Sequence, residues 1–156
     1  MLAVQRRTNV VYPTEGTAFA DGLKDDAAAA RFFEALLKLL ASRGPNRKRF
    51  EALAKAATFL PAAEGKTSRS KWTIVTVLPF LAQPERHIFV QPTRTQQCAD
   101  RMRFDLQYRA QPNWITYRRV LTLADLLRRK LHPLGARDMI DVQSFMWMIA
   151  SYTGDK

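Results

Sequence analysis

A chain of 156 residues that is 47% hydrophobic and 25% charged has the size and composition of one ordinary globular domain, well outside the low-hydropathy regime of intrinsic disorder. Twenty-five Lys and Arg against 14 Asp and Glu give a formal charge of +11 and a pI near 10.4, which points to an anionic partner. The single cysteine, Cys98, excludes an intrachain disulfide and a thiolate metal cage.

Met1–Val11 carries Arg6 and Arg7 but leads into Tyr12, Pro13 and Glu15 instead of an apolar stretch, so no secretory leader is expected and the setting reads as cytoplasmic. Thr8–Gly22 contains a short apolar run, Val10 to Tyr12, followed by Pro13, Gly16 and Gly22, and has no helical period. It reads as an extended arm or small hairpin, which divides the chain into an arm over residues 1–24 and a helical domain over 25–156. Asp25 and Asp26 suit an N-cap and first turn, and predict a helix over Ala27–Ser42 with Phe33, Leu36, Leu37 and Leu40 on its inner stripe. Gly44 and Pro45 end it. Asn46 then opens a helix that turns Phe50, Leu53, Ala57 and Leu60 inward and leaves Arg47, Lys48 and Lys55 toward solvent.

After a polar loop over Pro61–Ser70, Lys71–Gln83 fits two patterns: Ile74, Val75 and Val77 favour a strand, whereas the length and the spacing of Trp72, Val75 and Leu78 favour a buried helix. We adopt the helix. Its apolar part is about half the roughly 20 residues needed to span a membrane, and no membrane partner is expected. Ile88–Val90 suits a short strand, Thr95–Met102 a short helix, and Pro112 or Asn113 the start of a longer one. In that helix Trp114, Tyr117, Val120, Leu121, Ala124, Leu127 and Leu131 form an apolar face, opposite Arg118, Thr122, Asp125 and Arg129. Pro133 and Gly135 close it. Asp138 N-caps a last helix, with Asp141 near the positive dipole end and Val142, Phe145, Met146 and Ile149 inside. The fold class is mainly α: a single-domain bundle of about five or six helices, with room for a minor two-stranded β element built from the arm and Ile88–Val90.

The charge is unevenly placed. Arg43–Lys71 and Arg94–Lys130 each carry a net +6, and in the second block arginine outnumbers lysine eight to one, which favours bidentate phosphate contacts. Arg47, Lys48, Arg49, Arg118, Arg119, Arg128, Arg129 and Lys130 are the candidate phosphate contacts. Trp72, Tyr108, Trp114 and Tyr117 lie beside cations in the sequence, a pattern that serves either base stacking or a core. Neither G-x-x-x-x-G-K-[ST] nor G-x-G-x-x-G is present, which argues against nucleotide hydrolysis by a Gly-rich loop. His87 and His132 offer no metal-ligand spacing, and a lone loop histidine reads as a surface residue. Cys98 reads as a buried small hydrophobe. Asp100 and Asp105 are available to a metal-dependent nuclease, yet Asp105-Leu106-Gln107 has Gln where an acid-x-lysine motif has Lys. No catalytic residue, cofactor or metal is expected.

The stretch Arg137–Trp147 carries the pattern D-x-x-D-x-Q-S-F-x-W. It resembles an ending seen in uncharacterised bacterial proteins similar to accessory parts of McrB-type restriction systems. The likeness covers about eleven residues, implies a setting near DNA or genome defence, and brings no catalytic residue with it. Trp147, off the stripe of Val142 and Phe145, is a candidate docking residue for a protein partner. The functional expectation is a noncatalytic small subunit or accessory factor that binds DNA or RNA through phosphate contacts within a nucleoprotein assembly. The alternatives are a basic adaptor or inhibitor for an acidic protein, and a metal-dependent nuclease.

Overall fold

A computed structural model of the chain describes residues 13–61 and 71–152. Among them are seven α-helices, α1 (Pro13–Gly22), α2 (Asp26–Leu40), α3 (Arg47–Thr58), α4 (Trp72–Ala82), α5 (Pro92–Arg101), α6 (Trp114–Leu131) and α7 (Met139–Ser151), with a 3-10 turn at His132–Leu134 and no strand. The mainly α bundle expected from the sequence is the observed architecture, with seven helices instead of five or six and no minor strand pair among the described residues. The second half of the expected arm is corrected: Pro13–Gly22 is a helix, and its Phe19 is buried edge-on against Phe32 with ring centroids 5.4 Å apart. Thr8–Tyr12 lies outside the described residues.

Four helices begin where a short polar side chain accepts from an otherwise unpaired backbone N–H: Asp25 from Ala28, Asn46 from Arg49, Asn113 from Thr116, and Asp138 from Ile140 and Asp141. At the other end of α2, the exposed carbonyls are capped from outside the helix. Gln83 Nε2 donates to Leu40 O at 2.8 Å, Arg86 Nη1 to Ser42 O at 3.2 Å, and Arg49 to Lys38 O. The first two bonds tie the α2–α3 hairpin to the turn that follows α4, and the third holds α3 to α2.

α4 is apolar on all sides, and Trp72 to Val77, Pro79 and Phe80 are all buried, as a helix at the centre of a bundle requires. α2 and α3 both pack on it and on each other, α3 also meets α6, and α7 lies against α5 and α6. The inner face of α2 differs from the expected stripe. Phe32, Leu36 and Leu39 are buried, whereas Phe33 and Leu37 are exposed.

Phe50 is the hub of the core. Its ring stacks on Tyr117 of α6 at 4.2 Å and 6°, and lies within about 6 Å of Trp72 of α4 and Trp114 of α6. The stretch 87–90 behind Tyr117 pairs with no strand: the His87 N–H donates to Gln83 O at 3.0 Å, and the Val90 N–H donates to Thr76 Oγ1 at 3.0 Å. Thr76 donates in turn to Trp72 O at 2.6 Å.

His87 is buried, not at the surface, and its Nδ1 lies 3.0 Å from the Tyr117 hydroxyl. Desolvation pulls its pKa down to about 4, with Glu85 opposing and Arg86 assisting. The neutral ring and the hydroxyl share one hydrogen bond at Nδ1.

Two outcomes follow. Phe50→Ala is expected to destabilise the fold by about 3–5 kcal/mol in urea unfolding, because the cavity opens where three helices meet. His87 is neutral when folded and binds a proton below about pH 6.5 when unfolded. It therefore withdraws up to about 3 kcal/mol of stability as pH falls from about 6.5 to 4. His87→Asn, which retains an acceptor, should show a smaller loss of stability over that range than the parent chain.

Candidate nucleic-acid interface

α2 and α3 run antiparallel, so residues distant in sequence pair across the hairpin: Arg31 lies over the Phe59 ring at 5.5 Å near one end, and Arg49 reaches Lys38 O at the other. Between them is an open groove of about 810 Å³. The inward set Phe50, Leu53, Ala54 and Ala57 fixes the rotation of α3 and leaves Lys48, Ala52, Lys55 and Phe59 on the groove side. Small residues Ala35, Ala52 and Ala56 line its depth, and Phe59 supplies an exposed ring.

Five cations, Arg31, Lys38, Lys48, Arg49 and Lys55, line this groove against one acid, Glu34. Glu34 is bound to Lys38 at 2.6 Å, which holds its carboxyl below the usual range. No carboxylate among the described residues pairs with Lys48 or Lys55. The result is a cationic channel whose charge is only slightly neutralised from within.

A second hollow, about 390 Å³, lies at the C-terminal end of α6 and is lined by Arg128, Arg129, His132, Pro133 and Arg137. It is more internally compensated: Arg128 holds Asp125 at 3.2 Å and Arg137 holds Asp141 at 3.3 Å. Cations near the last carbonyls of α6 also answer the negative end of its dipole, a structural use that needs no ligand.

The eight candidate phosphate contacts thus separate. Lys48 and Arg49 meet in the α2–α3 groove, and Arg128 and Arg129 in the α6 hollow. Arg47 is off the groove and paired with Glu51 at 3.1 Å. Arg118 and Lys130 are exposed on α6 but line neither hollow. Arg119 braces the loop before α6, with Nε donating to Asp105 O at 2.8 Å and its guanidinium 5.0 Å over Phe104. Trp147 is half-buried with Arg94 over its ring at 5.0 Å, so that face of the indole is already covered.

Sequence reasoning missed Arg31, Lys38 and Phe59. A signal existed: Arg31 and Lys38 are two turns apart on α2, and Lys48 and Lys55 are two turns apart on α3, with alanines between. The aromatics beside cations in the sequence turn out differently. Trp72 and Tyr117 are fully buried, and Trp114 and Tyr108 pack partly against the core.

Cys98 is buried, and desolvation pushes its thiol up to about 11. Asp105 accepts from the Gln107 N–H at 2.8 Å in a local turn, and Asp100 is exposed on α5. Among the described residues no three His, Cys, Asp or Glu side chains converge where a metal ion would sit, and no helix is long and apolar enough to cross a membrane. No family model, curated protein or solved structure matches the chain.

Arg119→Ala should lower stability by about 1 kcal/mol by releasing its hydrogen bond and ring contact. Arg118→Ala should stay within about 0.5 kcal/mol. Thermal unfolding of the two variants side by side checks the distinction.

Proposed function

We propose that the protein is a noncatalytic nucleic-acid-binding subunit, and that the α2–α3 groove is its principal phosphate-binding surface. One observation carries this reading: five cations from two helices line one groove with a single acid among them. An array of that kind neutralises phosphates and releases their condensed counterions, giving affinity with little sequence selectivity. Lys48 and Arg49 remain among the contacts, joined by Arg31, Lys38 and Lys55. Arg128 and Arg129, beside His132, form a weaker auxiliary site, since neighbouring carboxylates already answer part of their charge.

An accessory role within a larger assembly is supported by the outer side of α7, where Ile140, Met148 and Tyr152 are exposed at 48%, 73% and 61%. They recur at four-residue steps with Ser144 between, and Ile140 lies in the stretch that resembles the ending of McrB-associated proteins. A defence-related nucleoprotein setting and a cytoplasmic location belong to the same proposal. The exposed stripe also favours a second reading, an adaptor that binds an acidic protein. It differs in requiring a tight protein complex without nucleic-acid retention at moderate salt.

The test is a titration of labelled nucleic acid against salt concentration. The parent chain should bind with a steep inverse salt dependence. The double variant Lys48→Ala, Lys55→Ala should bind more weakly, with the slope of log affinity against log salt reduced by about 0.7–0.9 for each lost contact. An unchanged affinity and slope in the double variant would remove the groove from consideration.

A further inference from the structure

We infer that the α2–α3 groove takes a single strand, with one base stacked on Phe59; this rests on the nucleic-acid reading above and adds the class of strand. Phe59 is 49% exposed, and it lines the groove together with five cations. The cation over its ring is Arg31, whose guanidinium lies 5.5 Å from the ring centroid. A base entering there displaces that guanidinium and exchanges a weak, exposed cation–π contact for a base–ring stack. The freed Arg31 then turns to the adjoining phosphate.

The rest of the groove suits the backbone of the same strand. Lys55 is one helical turn before Phe59 and Lys48 nearly two turns before that, so cations recur along roughly 16 Å of α3 on the ring's side. Lys38 and Arg49 answer from the far end. The depth of the groove is lined by the small side chains of Ala35, Ala52 and Ala56, which lets one strand's backbone lie close against the two helices. An exposed ring beside a line of cations is the combination by which single strands are held without sequence preference.

The experiment compares oligo-dT, oligo-rU and a mixed-sequence duplex by fluorescence anisotropy at low salt, for the parent chain and for Phe59→Ala and Phe59→Trp. Expected is tighter binding of one or both single strands than of the duplex, a roughly tenfold loss in Phe59→Ala with an unchanged salt slope, and retained affinity in Phe59→Trp. The dT and rU arms distinguish DNA from RNA. Duplex bound as well as single strands, or Phe59→Ala binding like the parent, would overturn the single-strand inference and leave the phosphate reading standing. No binding of any of the three would overturn both. Because Phe59 is exposed, unchanged thermal unfolding of Phe59→Ala is expected, and the Trp variant separates loss of a stack from loss of fold.

Discussion

The stack of Phe50 on Tyr117 is the constraint on which the arrangement of the helices depends. It joins α3 to α6 at 4.2 Å between ring centroids, Trp72 brings α4 into the same cluster, and the Tyr117 hydroxyl meets His87 on its other side. Aromatic rings in such contact bury a large area and favour a definite geometry. Once Phe50 points inward, the helical repeat decides where Lys48, Ala52, Lys55 and Phe59 must go. The groove is therefore a consequence of core packing: the ring that anchors α3 also orients its cations.

Charge alone does not map the surface of this protein. The arginine-rich second block has the same net +6 as the first, yet several of its arginines are braces. Arg119 holds the loop of Asp105 and Phe104, Arg94 covers Trp147 and bonds Ser151, and Arg128 meets Asp125. Planar guanidinium groups with several donors suit such internal work as well as they suit phosphate. The groove draws instead on Lys48, Arg49 and Lys55 of the first block and on Arg31 and Lys38, which lie outside either block. Lys48 and Lys55 have no carboxylate partner among the described residues and the exposed Lys38–Glu34 pair contributes little to stability, so the ligand proposed above would meet these lysines at small cost.

Much of the fold was legible in the sequence because it is fixed locally. Asp25, Asn46, Asn113 and Asp138 sit before their helices as side-chain acceptors, and no distant contact is needed to place them. The stripe of α2 was less legible, since the doublets Phe32-Phe33, Leu36-Leu37 and Leu39-Leu40 allow neighbouring rotations. Packing of Phe32 against Phe19 fixes the one adopted. Gly16 and Gly22 obscured α1, whose Phe19 finds its place only in tertiary contact. His87 read as a loop histidine because its partner, Tyr117, is thirty residues away. The candidate site was legible only in half: Lys48 and Arg49 stand in a visible basic run, whereas Arg31, Lys38 and Phe59 join them only through the antiparallel turn at Gly44 and Pro45.

On the reading proposed above, the α2–α3 hairpin presents the ligand-binding surface. Backbone amide shifts of the labelled protein, followed as unlabelled oligo-dT or oligo-rU is added, test it most directly. Changes concentrated between Arg31 and Lys38 and between Lys48 and Phe59 are the outcome this account requires. Changes centred on Arg128–Arg137 or on the outer side of α7, with the hairpin unmoved, would contradict it.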